Sequence, residues 1–142
     1  MGNIHTFDQH IRTRFGVIDA SIDAATLETA EYVDMRNYDL VAFHCFASNV
    51  TSASYLTLKI WQATSTTGAA SVSMTHASAS VVSTATHATA LHAMTVQVRG
   101  EDLSAGYRYV GAQVAANASV AALVCIGIQQ ARARYKQATL PA

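Results

Sequence analysis

The chain is short of charges, of cysteines and of long apolar runs, and each shortage excludes a class of protein. Only 13% of its 142 residues are charged and the formal net charge is +0, so we expect neither nucleic acid nor an acidic membrane surface as a partner. Two cysteines make no disulfide framework. No segment reaches the roughly 18 apolar residues of a membrane span, and the first residues contain no apolar signal region. We therefore expect the chain to fold in a reducing cytoplasm.

Catalytic motifs are also lacking. His44 and Cys45 could suggest a thiol nucleophile with its base, but neighbours on a strand project to opposite faces. His76, His87 and His92 could suggest a metal site, yet a separation of five residues places the last two on different faces of a strand. The sequence therefore predicts no catalytic residue, no cofactor and no metal ion.

Two pairs of acidic residues are also weak candidates for a functional site. Asp19 with Asp23, or Glu101 with Asp102, could supply calcium ligands or an acid and a base. Both pairs lie among turn residues, where carboxylates more often cap the backbone or face solvent. We expect that role for them.

The second half of the chain has the clearest pattern. Residues 91–98 and 107–114 alternate between apolar and polar side chains, and residues 120–129 follow with a third apolar run. Because successive side chains of a strand point to opposite faces, Met94, Val96 and Val98 should share one surface. The pattern predicts consecutive antiparallel strands joined by turns rich in Gly, Asn, Asp and Ser.

Further strands are expected in the first half. Residues 40–46 are apolar on both faces, which is typical of a central strand, and Leu56, Leu58 and Ile60 should form the core face of the next one. The Ala, Ser and Thr-rich residues 70–95 predict short strands, some near a sheet edge. About eight or nine strands without an amphipathic helix predict an all-β fold, an antiparallel β-sandwich or jelly roll.

The chain ends have a different character from this middle. Residues 1–30 are polar and aperiodic apart from residues 15–18, which predicts an extended N-terminal arm and lead-in with one short strand. The sandwich domain would occupy residues 31–131. Residues 132–142 would form a C-terminal tail, which begins with basic residues at every second position.

Five segments share a pattern of strands and turns. They are residues 33–39 (VDMRNYD), 56–63 (LTLKIWQA), 96–103 (VQVRGEDL), 107–110 (YRYV) and 126–132 (IGIQQAR). Together they resemble capsid decoration, or cement, proteins of tailed bacteriophages. The resemblance covers roughly two-thirds of the chain, excluding the arm and the Ala, Ser and Thr-rich stretch, and it is a pattern of strands and turns.

The resemblance implies a non-enzymatic β-sandwich or jelly-roll subunit. Such a protein is made in the host bacterial cytoplasm, forms a homo-oligomer, commonly a trimer, and binds the major capsid protein on the outside of an assembled virion. We expect residues 1–18 and 132–142 to make the contacts. The candidate interface residues are Ile4, Phe7, Phe15, Val17, Arg132, Arg134 and Tyr135.

Two alternatives stay open. Trp61, Tyr107 and Tyr109 could line the sugar-binding face of a lectin-like module, because aromatic rings stack on the apolar surfaces of sugars. The chain could also be another structural component of a phage head or tail.

Overall fold

The computed structural model describes residues 11–19, 28–29, 32–48, 55–82, 91–116 and 123–133, with side chains in 32–48, 56–75, 91–115 and 123–131. These residues form two antiparallel sheets packed face to face. The first sheet has the order β1 (Ile11–Asp19), β9 (Leu123–Ala133), β4 (Tyr38–Ser48), β7 (His92–Arg99). The second has the order β2 (Glu28–Thr29), β8 (Tyr109–Ala116), β5 (Tyr55–Ala63), β6 (Val72–Val82), and β3 (Val33–Asp34) also pairs with β8.

The strand pairs are nested along the chain. β1 pairs with β9, β2 and β3 with β8, β4 with β7, and β5 with β6, all antiparallel. A chain folded on itself as one long hairpin and then wrapped into two sheets has this order, which is the topology of a jelly roll. The predicted fold class, an antiparallel β-sandwich or jelly roll, is confirmed.

The second half forms the antiparallel strands that were predicted, but consecutive strands there do not pair with one another. β7 and β9 both pair with β4 in the first sheet, whereas β8 pairs with β5 in the second. Each connection therefore crosses from one sheet to the other. Local alternation predicts where a strand lies but carries no information about its partner, which is distant in the chain.

The core lies between the sheets and follows the two-residue period of the strands. Val41, Phe43 and Cys45 of β4 are fully buried, and β4 lies between β9 and β7, so its predicted central position is confirmed. The second sheet supplies three of the side chains that were expected from the sequence. These are Leu56, Leu58 and Ile60, all fully buried.

Two segments form longer strands than the sequence predicted. β6 is a single strand of eleven residues at an edge of the second sheet, where short strands were expected. Part of the predicted arm forms the nine-residue β1, which pairs with β9 from Ile11, opposite Ala131, to Asp19, opposite Val124. The edge of β9 offers hydrogen-bond partners to the backbone of β1. These partners allow a long strand although the apolar pattern of the β1 sequence is weak.

Three described connections lie at one end of the sandwich, called here the polar end. They are residues 35–37, 64–71 and 100–108. Residues 20–27, 49–54, 83–90 and 117–122 lie outside the described residues. Among the described residues the helical structure is limited to a 3-10 turn of three residues, Gly100–Asp102, which is too short to cross a membrane.

Tyr32 fastens the polar end to the second sheet. Its ring is buried against two positions without side chains, Gly111 in β8 and Gly68 in the β5–β6 connection. A Cβ atom on Gly111 would lie 2.9 Å from two ring carbons of Tyr32. Gly68 also has a φ of +77°, a conformation that favours glycine.

We expect Gly111→Ala to destabilise the fold by about 1–3 kcal/mol, because the added methyl group forces the buried Tyr32 ring to move. Gly127→Ala in β9 is the matched control, since its new Cβ would lie 3.8 Å or more from its nearest neighbours, an ordinary contact. Its expected effect is within about 0.5 kcal/mol. Urea unfolding of both variants provides the comparison, and equal losses of unfolding free energy would contradict the Tyr32 packing.

Candidate assembly interface

The outer face of the first sheet consists of the side chains that alternate with the core residues of β4, β7 and β9. Register places three of them side by side in each row, so that Phe46 has Ala93 on one side and Cys125 on the other. Fifteen residues of this face lie from Leu40 to Ser48 in β4, from Leu123 to Ala131 in β9 and along β7, with Leu91, which directly precedes β7, counted beside that strand. Arg99 alone is charged. The fifteen are Leu40, Ala42, His44, Phe46, Ser48, Leu91, Ala93, Thr95, Gln97, Arg99, Leu123, Cys125, Gly127, Gln129 and Ala131.

One end of this face is an apolar patch, which we define as Phe46, Leu91, Ala93, Leu123 and Cys125. Phe46 is 43% exposed, Leu91 69% and Leu123 50%, and these are three of the four large apolar side chains exposed in the described residues. The outer face of an antiparallel sheet is ordinarily polar. Adjoining exposed apolar side chains, rimmed by polar ones, are typical of a surface that contacts another macromolecule.

The middle of the same face is small and uncharged. Gly127 lies opposite His44, and the His44 ring contacts Thr95 across the neighbouring strand, with 3.1 Å between Nδ1 and Oγ1. Ala42 lies one row further, between Gln97 and Gln129. The face thus has bulky apolar side chains at one end and a shallow, small-residue surface at its centre.

The residues that the sequence assigned to contacts lie along one edge of this sheet or outside the described ranges. Phe15 and Val17 belong to β1, with Phe15 opposite Gly127, and Arg132 belongs to β9. Ile4, Phe7, Arg134 and Tyr135 are outside the described residues. Since Ile11 pairs with Ala131, β1 begins where β9 ends, so the chain enters and leaves the sandwich at one corner.

The polar end holds most of the charged side chains described. Arg108 donates from Nε to Asp34 Oδ1 at 2.7 Å and from Nη2 to Oδ2, and Oδ1 also accepts the backbone N–H of Arg36. The Arg108 hydrogen bond lowers the pKa of the Asp34 carboxyl below its ordinary value of 3.8. The guanidinium also lies 5.2 Å above the ring of Tyr109, a cation–π contact.

Two buried glutamine side chains join this end to both sheets by hydrogen bonds. Gln62 of β5 accepts the backbone N–H of Ser104 and donates to its hydroxyl, each at 2.9 Å. Gln130 of β9 donates to the backbone carbonyl of Asp34 at 2.9 Å. Both glutamines are buried. These hydrogen bonds hold the β7–β8 connection and β3 in fixed positions.

Glu101 and Asp102 have the capping role that was expected. Asp102 accepts the backbone N–H of Arg99 at 2.9 Å, and Glu101 pairs with the Arg99 side chain at 3.1 Å. Asp19 is described only as backbone, and Asp23 lies outside the described ranges.

The candidate nucleophile has the geometry that was expected. His44 is on the outer face and Cys45 in the core, and burial raises the pKa of the Cys45 thiol to about 12. A thiol with that pKa is protonated at neutral pH and is a poor nucleophile. Cys125 is partly exposed in the apolar patch.

The histidines are not assembled in the part of the chain that the structure describes. His92 begins β7, the side chain of His76 is not described, and His87 is outside the ranges given above. Within those ranges no group of three His, Cys, Asp or Glu side chains could hold a metal ion.

Of the three aromatic candidates, Trp61 and Tyr109 lie in adjacent rows of the paired strands β5 and β8, and Tyr107 lies outside the sheet. Tyr107 precedes β8 and lines an open cleft of about 110 Å³ at the polar end, together with Met35, Leu103 and Arg108. Tyr109 contacts Arg108, and Trp61 is half-buried in β5 opposite Gly111. Tyr107 and Tyr109 therefore do not share one strand face, because β8 begins only at Tyr109.

Comparison with known proteins shows a shared fold. No protein-family model matches the chain, and no curated protein matches its sequence. The PRD1 vertex protein P5 superposes with a TM-score of 0.54 at 12% identity, over 87% of this chain and 98% of that one. The exported protein XepA of the phage PBSX superposes with a TM-score of 0.50 at 15% identity, over 92% of this chain and 40% of XepA. At such identities the likeness extends to the fold alone.

We expect Asp34→Asn to remove a stabilisation that depends on pH. The folded-state pKa of Asp34 lies below 3.8, so the Arg108 contact contributes fully above that value and is lost as the pH falls through the folded-state pKa. The difference in unfolding free energy between wild type and variant should be present at about pH 6 and shrink below about pH 4. Denaturant titrations at a series of pH values measure it.

Arg108→Gln provides the control for this pair. In that background Asp34→Asn should lose most of its pH dependence, because the guanidinium that holds the carboxylate is gone. A difference that stays constant down to about pH 2.5 would contradict the assignment.

Proposed function

We propose that this chain is a non-enzymatic structural protein of a bacteriophage virion, which binds the major capsid protein on the outside of the assembled capsid and stabilises it. Homo-oligomers, with a trimer favoured, are the binding unit. The protein is made in the cytoplasm of the bacterial host and ends in the particle.

The apolar patch is the observation that carries this proposal. Phe46, Leu91 and Leu123 are exposed on a sheet face where polar side chains are the rule. A surface of this kind suits contact with another protein and offers little to a small polar substrate.

The similarity of the fold to two phage proteins also supports the proposal. One of the two proteins described above is named for a position in a virion, the vertex of PRD1, and the superposition spans nearly all of it. The other is named as a product of the phage PBSX. Extending a virion role from these proteins to this chain is part of the proposal.

Capsid stabilisation needs no chemical step. A protein that binds the assembled lattice, and not its free subunits, shifts the equilibrium toward assembly by mass action. Several linked copies strengthen the effect because each later contact is effectively intramolecular. The rigid hydrogen-bonded polar end keeps the strands in register under such a load.

Particles purified by density from the source strain test this function directly. We expect mass spectrometry to find the chain in numbers comparable to the shell protein, and removal of the chain to lower the temperature at which the shells open. A handful of copies per particle would indicate a tail or portal component instead of a cement. Absence from the particles would contradict the proposal.

The contact role of the N-terminal arm has a separate test. Deleting residues 1–18 would remove β1 and uncover the edge of β9, so the informative truncation stops at residue 10 and keeps β1. We expect chain 11–142 to fold normally and to bind shells that lack the protein at least about tenfold more weakly, since a lost set of contacts of about 1.4 kcal/mol has that effect. Removal of residues 134–142 is the companion variant, and unchanged binding by both would contradict the assignment of the contacts to the chain ends.

A further inference from the structure

We propose that the outer face of the first sheet is the surface through which this chain binds a second copy of itself. The inference deepens the proposed function, since it rests on that function for its purpose and names the partner of one surface. The charge, the shape and the area of the face support contact with a second copy.

The charge of the face favours a second copy. Fourteen of its fifteen residues are uncharged, and the exception, Arg99, lies at the end away from the apolar patch and pairs with Glu101. Two identical faces can therefore meet without opposing like charges, which is the main electrostatic obstacle to self-association. The formal net charge of +0 also leaves no long-range repulsion between copies.

The shape of the face suits an isologous contact, in which one surface complements itself and joins two copies. The trimer favoured above as the binding unit would close through a different, heterologous surface. The bulky side chains Phe46, Leu91 and Leu123 lie at one end, and the small residues Ala42 and Gly127 lie near the centre. A copy rotated by half a turn about an axis that crosses the strands at the His44 row lays Phe46 over the row of Ala42. The same rotation lays the row of Leu123 over the row of Leu40, Arg99 and Ala131. The two sheets then pack as the layers of a sandwich do, about 10 Å apart.

The area of the face reaches the lower limit for a specific complex. Three strands about 4.8 Å apart and roughly ten residues long, at about 3.4 Å per residue, give a face of about 490 Å². Covering it on two copies removes about 1,000 Å² from solvent, the least that a specific protein interface buries.

The outer face of the second sheet differs from this surface in its described part. Tyr32 already covers Gly111 on its outer side, and Lys59 places a charge on the neighbouring strand. Val72, 45% exposed, is the other large apolar side chain that is exposed in the described residues, and it lies at the start of β6, away from the apolar patch.

Variants of the full chain test the inference in the absence of any capsid. We expect wild type to be an oligomer by light scattering and sedimentation at micromolar concentration. Phe46→Lys and Leu123→Lys should each weaken association at least about 100-fold, because they bury an unpaired charge between the copies. Val72→Lys is the matched control, with similar exposure on the other sheet, and should associate as wild type does.

The native cysteines provide a measurement that needs no variant. Cys125 is half-exposed in the patch and Cys45 is in the core. Alkylation of Cys125 by iodoacetamide, followed by mass spectrometry, should accelerate at least about tenfold when wild type is diluted from oligomer to monomer. Cys45 should stay unreactive throughout and so reports that the fold is intact.

Three results would overturn the inference. One is a wild type that stays monomeric at about 100 μM, a concentration at which contacts of useful strength are populated. Another is equal loss of association in Val72→Lys and Phe46→Lys. The third is a Cys125 alkylation rate that does not change with dilution of a proven oligomer. In each case, particles that contain the chain in high copy number would leave the proposed function standing, with this face turned to the shell protein instead.

Discussion

The two-residue period of the β-strand is the constraint on which the rest of this structure depends. It sends Val41, Phe43 and Cys45 of β4 into the core, and by the same geometry it sends Ala42, His44 and Phe46 outward. A two-layer sandwich buries only one face of each sheet. An apolar side chain on the other face therefore stays in water unless another molecule covers it, and this is the situation of Phe46.

The molecule separates its charges from this surface. Asp34, Arg36 and Arg108 meet at the polar end, where the guanidinium and the carboxylate form two hydrogen bonds and the neighbouring amides are satisfied. The buried Gln62 and Gln130 join that end to β5 and β9. Because the polar groups have partners in the fold itself, the described outer face of the first sheet can remain almost free of charge. A fixed scaffold at one end and an apolar patch at the other is an arrangement suited to assembly.

Local pattern predicted much of the fold. Leu56, Leu58 and Ile60 were expected in the core and are fully buried, and β4 was expected to be central and is. The nested order of the strands was beyond reach, because the pairing of Ile11 with Ala131 joins the two ends of the chain and leaves no local trace. The length of β1 was underestimated for the same reason. Its backbone hydrogen-bond partners lie on the edge of β9, and its own sequence has only a weak strand pattern.

The candidate interface was only partly visible in the sequence. Residues 40–46 are apolar on both faces, and the apolar outer face includes Phe46 of the patch. The same pattern is typical of a central strand, and it was interpreted in that way. Nothing in the sequence indicated that the patch residues adjoin, because only the register places Ala93 and Cys125 beside Phe46 and Leu123 opposite Ser48. The prediction that Phe15, Val17 and Arg132 make contacts stays a prediction, as does the one for Ile4, Phe7, Arg134 and Tyr135.

In the assembled state, Phe46 and its neighbours should be covered by another molecule. Cryo-electron microscopy of purified particles, at a resolution that shows side chains, would reveal what covers them. We expect density from a second copy of the chain within van der Waals contact of Phe46 and Leu123. Density that leaves this face open to solvent, with every contact between copies made elsewhere, would contradict this expectation.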